Sequence, residues 1–87
     1  MVVLQPYLDI SDRRIFSKHV NENDLVWHRD DEDRIITIIK GLGWFLQMDD
    51  ELPVELIPTQ SYHIPKMKFH RLIKTKNIDL IISIKSV

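Results

Sequence analysis

Arg34-Ile35-Ile36-Thr37-Ile38-Ile39-Lys40-Gly41-Leu42-Gly43-Trp44-Phe45-Leu46-Gln47-Met48 decides how this chain folds. Four isoleucines and a threonine between Arg34 and Lys40 form a strand, because β-branched side chains pack well on a pleated surface. From Trp44 to Met48 the period is two, with Trp44, Leu46 and Met48 on one face and Phe45 and Gln47 on the other. The only two glycines of the chain, Gly41 and Gly43, lie between these segments and permit positive φ. The reading is two strands, 34–40 and 44–48, joined as a hairpin.

Outward from this pair the chain breaks into short pieces. Upstream, Leu25–His28 reads as a strand reaching Asp30, after a turn at Asn21–Asp24 and before one at Asp31–Asp33. Segment 13–20 fits a strand or a short helix capped by Asp12, with strand preferred. Residues 1–12 read as a lead-in with a short strand at Val2–Leu4. Downstream, short strands are expected at Val54–Ile57, Ser61–Ile64, Phe69–Ile73 and Ile78–Ile84. Pro58 and Pro65 close two of them, since proline removes a ladder donor. In the last strand Leu80, Ile82 and Ile84 share one face. Seven or eight short strands at close intervals mean an all-β sandwich or barrel.

With 87 residues the chain makes one domain, 1–87, with a modest core. A second copy would help to stabilise it, so a homodimer is expected. There is no cysteine, which excludes disulfides, thiolate metal sites and cysteine nucleophiles. A formal net charge of −1 provides no global field toward nucleic acid or membrane. The beginning of the chain lacks the pattern of a signal peptide, no apolar run approaches a membrane span, and a cytoplasmic protein is expected. Segment 66–76 interleaves lysines and arginine with Phe69 and His70. It reads as a solvated strand with lysine-rich turns rather than a nucleic-acid surface.

Histidine is the side chain that titrates near neutral pH, so the four histidines are the first candidates for chemistry. On a strand, His28 and Asp30 point to the same face, with Val26. Added to a distant His70, they make the ligand set of a 2-His-1-carboxylate site for a divalent ion. A solvated Asp30 paired with Arg29 or Arg34 is the competing reading of the same residues. His63 reads as a partly buried structural histidine or as a further lining residue, and His19 as surface. Trp44, directly after the glycine turn, is the first choice among the aromatics for a pocket or dimer contact. P-loop, G-x-G-x-x-G, His-Glu-x-x-His and G-x-S-x-G motifs are missing.

These residues resemble the two motifs of the cupin superfamily. In the first, G-x5-H-x-H-x3-4-E-x6-G, His28 takes the leading histidine and Gly41 the closing glycine. Asp30 falls at the second histidine, Arg34 at the glutamate and Glu22 at the opening glycine. In the second, G-x5-P-x-G-x2-H-x3-N, Pro65 and His70 match. Thr59 and Met67 stand at the two glycines, and Lys74 at the asparagine. The resemblance spans residues 22–80 and implies a small jelly-roll barrel. Its pocket would be lined by His28, Asp30, Arg34 and His70, with Trp44 and His63 as further ligand contacts. A cupin metal usually rests on three histidines and a glutamate. Here the implied ligands are His28, Asp30 and His70, holding Fe, Mn, Ni or Zn.

Arginine stays protonated and cannot ligate. Either Arg34 binds an anionic substrate beside a three-ligand metal, or it pairs with Asp30 and replaces the metal. On the strength of Arg34 a small anionic or sugar-like ligand is expected, and the resemblance implies an enzyme of dioxygenase, isomerase or lyase type, with His28 or His70 as general base. A ligand-sequestering or protein-interaction module without metal is the alternative.

Overall fold

A computed structural model of the chain describes residues 5–87. Among the described residues eight strands succeed one another: β1 (Leu8–Ile10), β2 (Arg13–Phe16), β3 (Arg34–Lys40), β4 (Trp44–Met48), β5 (Val54–Glu55), β6 (Ser61–Ile64), β7 (His70–Lys74) and β8 (Leu80–Ser86). They form two antiparallel sheets, one of five strands in the order β1-β2-β8-β3-β6, the other of three in the order β5-β4-β7. The expected all-β jelly roll is therefore the observed fold. The expected Val2–Leu4 strand lies outside the described residues.

The alternating patterns set what faces inward. Ile36 and Ile38 of β3 and Leu80 and Ile82 of β8 turn from the larger sheet toward Trp44 and Leu46 of β4. All six are buried, and Phe16, Leu56 and Ile64 complete the cluster. Each such side chain contributes roughly 1.5–3 kcal/mol. Arg34 shares the inward parity of Ile36, Arg14 that of Phe16, and His70 that of Leu72. The same alternation that builds the core thus delivers three polar side chains to one end of it.

Three expectations need correction. Strands 34–40 and 44–48 do not form a hairpin: β3 pairs with β6 and β8, and β4 with β5 and β7. The Gly41–Gly43 link instead carries the chain from one sheet to the other, which lets Trp44 and Leu46 face the β3 isoleucines across the core. Gly41 has φ +130°, and a Cβ there would lie 2.8 Å from the Asp79 carbonyl oxygen. Segment 13–20 is a strand only to Phe16, because Ser17 starts a turn that takes the Val20 amide on its carbonyl and the His19 amide on its hydroxyl. Leu25–Asp30 is not a continuous strand. A 3-10 turn at Glu22–Asp24, capped by Asn21, precedes it, and only His28 bridges to a neighbour.

Two departures from the cupin pattern are informative in the backbone. Thr59 and Met67, at the two positions where that pattern has glycine, have φ +76° and +64°. The left-handed conformation is kept without the residue that adopts it easily.

Candidate functional site

His70 opens β7, the edge strand of the smaller sheet. His28 docks on its free side through two backbone hydrogen bonds, His28 N–H to the His70 carbonyl at 3.0 Å and His70 N–H to the His28 carbonyl at 2.8 Å. This one bridge sets the two imidazoles edge to face, with ring centroids 4.3 Å apart. The chain then leaves the strand edge, and the Asp30 carbonyl accepts the Met67 amide at 2.7 Å. Met67 belongs to the turn that leads into His70, so its left-handed backbone helps position both Asp30 and His70.

Each imidazole is oriented by the backbone. His28 Nδ1 lies 3.0 Å from the Val26 carbonyl oxygen and His70 Nδ1 lies 2.8 Å from that of Lys68. An Nδ1–H that donates to a carbonyl leaves the lone pair on Nε2. His70 Nε2 stands 3.5 Å from Asp30 Oδ2. One ligand atom from each of His28, Asp30 and His70 lies within 4.8 Å of the others. Tetrahedral coordination at about 2.1 Å sets donors about 3.4 Å apart, so the His70–Asp30 edge already matches and the His28 side needs only a modest contraction. The donors present fit a divalent ion.

Burial pushes the His70 pKa below the usual histidine value, and the neighbouring His28 and Arg34 act in the same direction. The Lys68 carbonyl and Asp30 oppose this without reversing it. His70 is 4% exposed, so it is held as the neutral, ligating form.

Arg34 faces inward beside this group. Its Nη1 is 3.2 Å from Asp30 Oδ1 and its Nη2 is 3.5 Å from Glu32 Oε1. Arg34 therefore takes one Asp30 oxygen and leaves Oδ2 to His70. The pairing expected in the metal-free reading exists, yet it does not consume the carboxylate.

These residues line one end of a cavity of about 340 Å³ between the two sheets. Its walls are aliphatic, from Ile36, Leu46, Ile64, Leu72, Ile82 and Ile84. The volume is at the small end of ligand cavities, which run about 300–1,000 Å³.

The structure brings His28, Asp30, Arg34 and His70 together but places Trp44 and His63 elsewhere. Trp44 is fully buried behind Leu46, donating Nε1–H to the Ile78 carbonyl at 2.8 Å and packing on Phe16. It shares the inward parity of Leu46 on β4 and is taken up by the core, outside the lining of the cavity. His63 is on the outward parity of β6, exposed, with Nε2 3.7 Å from Asp33. It borders a separate depression next to Met48, Leu52 and Tyr62. Sequence reading missed Tyr7 and Arg14, which line the cavity mouth. Arg14 lies over the Tyr7 ring at 3.7 Å and is paired with Asp9. The signal was present in Arg13-Arg14-Ile15-Phe16, where strand parity sends one arginine to the Phe16 side.

Three of the five basic side chains of segment 66–76 are engaged within the protein. Lys68 bridges to Asp49 and Asp50, Lys74 donates to the Lys18 and Val20 carbonyls, and Arg71 bonds Gln47 and covers Trp27. No helix among the described residues is long and apolar enough to cross a membrane.

By sequence, no family model and no curated protein matches the chain. By structure the likeness is extensive. A Ralstonia eutropha protein with the provisional name mannose-6-phosphate isomerase superposes with a TM-score of 0.71 at 18% identity, covering 97% of this chain and 82% of its own. A cupin-2 domain protein from Shewanella frigidimarina gives 0.56 at 19% identity, over 92% of this chain and 76% of its own. A cupin domain from Bordetella pertussis gives 0.57 at 16%, over 92% and 86%. At such identities the likeness concerns the fold, and it agrees with the motif positions and the two-sheet topology: the chain folds as a cupin.

Proposed function

We propose that this protein holds a divalent metal ion on His28, Asp30 and His70 and binds a small organic molecule in the cavity beside it. The observation that carries this reading is the orientation of the donors. Both histidines have Nδ1 on a backbone carbonyl, which leaves Nε2 for a ligand, and His70 Nε2 faces Asp30 Oδ2 at 3.5 Å. Imidazole and carboxylate donors suit Fe, Mn, Ni or Zn, and three protein ligands leave positions open for a ligand. When bound, such an ion polarises an oxygen of the ligand as a Lewis acid.

The chain's own residues do the rest. The aliphatic walls exclude water, the buried His70 stays neutral, and Arg34 provides a fixed positive charge next to Asp30. His28 is the most exposed group of the set and has access to solvent for proton exchange.

The Arg34–Asp30 pair favours one second reading, a polar pocket that binds its ligand without metal. Elemental analysis of untagged protein purified without chelator, beside His70→Ala, separates the two. Stoichiometric Fe, Mn, Ni or Zn in the parent protein, lost in the variant, supports the metal site. Absence of metal after loading with each of these ions sinks it and leaves the metal-free pocket.

A further inference from the structure

The two arginines of the cavity offer the same edge in different states. Arg14 presents Nε and Nη2 side by side to Asp9, at 2.8 and 3.1 Å from its two oxygens, a filled bidentate fork. In Arg34 that edge is nearly vacant. Nε is buried with no hydrogen-bond partner among the described residues, and Nη2 reaches Glu32 only at 3.5 Å. The Glu32 oxygen it reaches already accepts the Ser86 hydroxyl at 2.8 Å. A buried N–H without a partner costs about 1–3 kcal/mol, and the Nε–Nη2 edge is the one that matches a planar carboxylate. Nη1, by contrast, is occupied by Asp30.

The surroundings define the remainder of the ligand. Beyond Arg34 the cavity wall is aliphatic, with Ile36 on the same strand and Ile64, Ile82 and Ile84 close to it. Arg14, the other cation, is neutralised by Asp9 and stacked on Tyr7, so one anionic group is accommodated. A sugar filling the cavity would set the hydroxyls that face this wall against Ile36, Ile64, Ile82 and Ile84.

We propose that the ligand of this cavity is a monocarboxylate with an apolar body, its carboxylate taken by the Nε–Nη2 edge of Arg34 in place of the loose Glu32 contact. This narrows the ligand class expected from sequence. It rests on the reading that the cavity is the working site, but not on the ion.

The test uses hexanoate, hexanamide, acetate and inorganic phosphate, titrated by calorimetry into metal-free and Zn-loaded protein. In the metal-free protein hexanoate is expected to bind about tenfold or more tighter than its neutral isostere hexanamide, as a charge-assisted fork requires. It is also expected to exceed acetate by about fourfold per added methylene. Arg34→Gln should abolish the preference for hexanoate over hexanamide. Glu32→Gln, which removes the competing carboxylate and leaves Arg34 in place, should strengthen hexanoate binding.

Equal affinity for hexanoate and hexanamide in the parent protein, or phosphate or acetate binding as tightly as hexanoate, overturns the proposal. So does a hexanoate preference that survives in folded Arg34→Gln. Zinc uptake is read on the same samples. Failure of the metal site alone leaves the carboxylate preference of the metal-free protein intact, and failure of the carboxylate proposal alone leaves zinc stoichiometry intact.

Discussion

Arg34 grips Asp30 by a single oxygen. The 3.2 Å contact from Nη1 to Oδ1 leaves Oδ2 turned to His70, so one carboxylate serves a cation on one side and an imidazole on the other. An arginine at the place of a cupin glutamate is thus compatible with a three-ligand metal site, and it makes the electrostatics of metal and organic ligand opposite in sign.

That opposition yields a paired outcome for Arg34→Gln. Removing a positive charge beside Asp30 is worth on the order of 1 kcal/mol to a divalent ion even when strongly screened, so zinc affinity should rise about fivefold. The same substitution should weaken carboxylate binding. Metal titration with a chromophoric competitor, run beside the hexanoate titration, checks the two signs. A fall in both affinities would point to general damage to the site.

His70 makes the stability of the metal-free protein depend on pH. Its folded pKa is depressed, chiefly by burial, so between that value and the ordinary histidine value of about 6.5 the unfolded chain binds more protons. The associated stability is fully present above about pH 6.5 and is lost as pH falls through the depressed value. Melting temperature against pH should therefore drop on the acid side in the chelated protein. The drop should be smaller in His70→Gln, which cannot titrate.

Backbone strain at Thr59 and Met67, the two positions where the cupin pattern has glycine, is open to direct relief. Thr59 and Met67 are left-handed, which costs an L side chain roughly 1–2 kcal/mol and a β-branched one the most. Thr59→Gly and Met67→Gly should each stabilise the protein by about 1 kcal/mol after the entropy of glycine in the unfolded chain is subtracted. Gly41→Ala should do the reverse, by about 3 kcal/mol or more, since φ is +130° and the new methyl would press on the Asp79 carbonyl. Urea denaturation of the three variants measures this.

Trp44 should behave as a core residue. Trp44→Phe loses the hydrogen bond to Ile78 and part of the ring, and should cost about 1–3 kcal/mol with little change in hexanoate or zinc affinity. Trp44→Ala removes a fully buried ring and should cost about 3–5 kcal/mol, enough to unfold a domain of this size. Loss of hexanoate binding in a fully folded Trp44→Phe would instead make it a ligand contact.

How much of this was legible in the chain follows from what local pattern can encode. The alternation in β3, β4 and β8 specified strands and inward faces, and the spacing of His28, Asp30 and His70 specified three of the residues that meet. Strand partnership was not specified. Gly41 and Gly43 permit both a hairpin and a crossing between sheets, and the choice is made by where Trp44 and Leu46 bury their surface, a long-range matter. Leu25–Asp30 carries strand composition, yet a single bridge is all that the edge of β7 offers it. Parity alone did not place Trp44 and His63: Trp44 shares the inward face of Leu46, which lines the cavity, yet is taken up by the core, and His63 lies on the outward face of β6. The strand Leu8–Ile10 was hidden in the lead-in, since its side chains are exposed and its partnership with β2 depends on a turn with left-handed Ser11.

The two sheets meet at the site with few backbone ties. Arg34 belongs to the five-stranded sheet and His70 to the three-stranded one, while His28 and Asp30 come from a segment in neither. An ion held by His28, Asp30 and His70 would rivet that loose segment to the smaller sheet, and a carboxylate on Arg34 would extend the rivet to the larger one. Loading the cavity and parting the sandwich would then be opposite ends of one equilibrium. Hydrogen exchange at the amides of His28, Met67 and His70 would report occupancy directly, with no need to know what reaction, if any, the occupant undergoes.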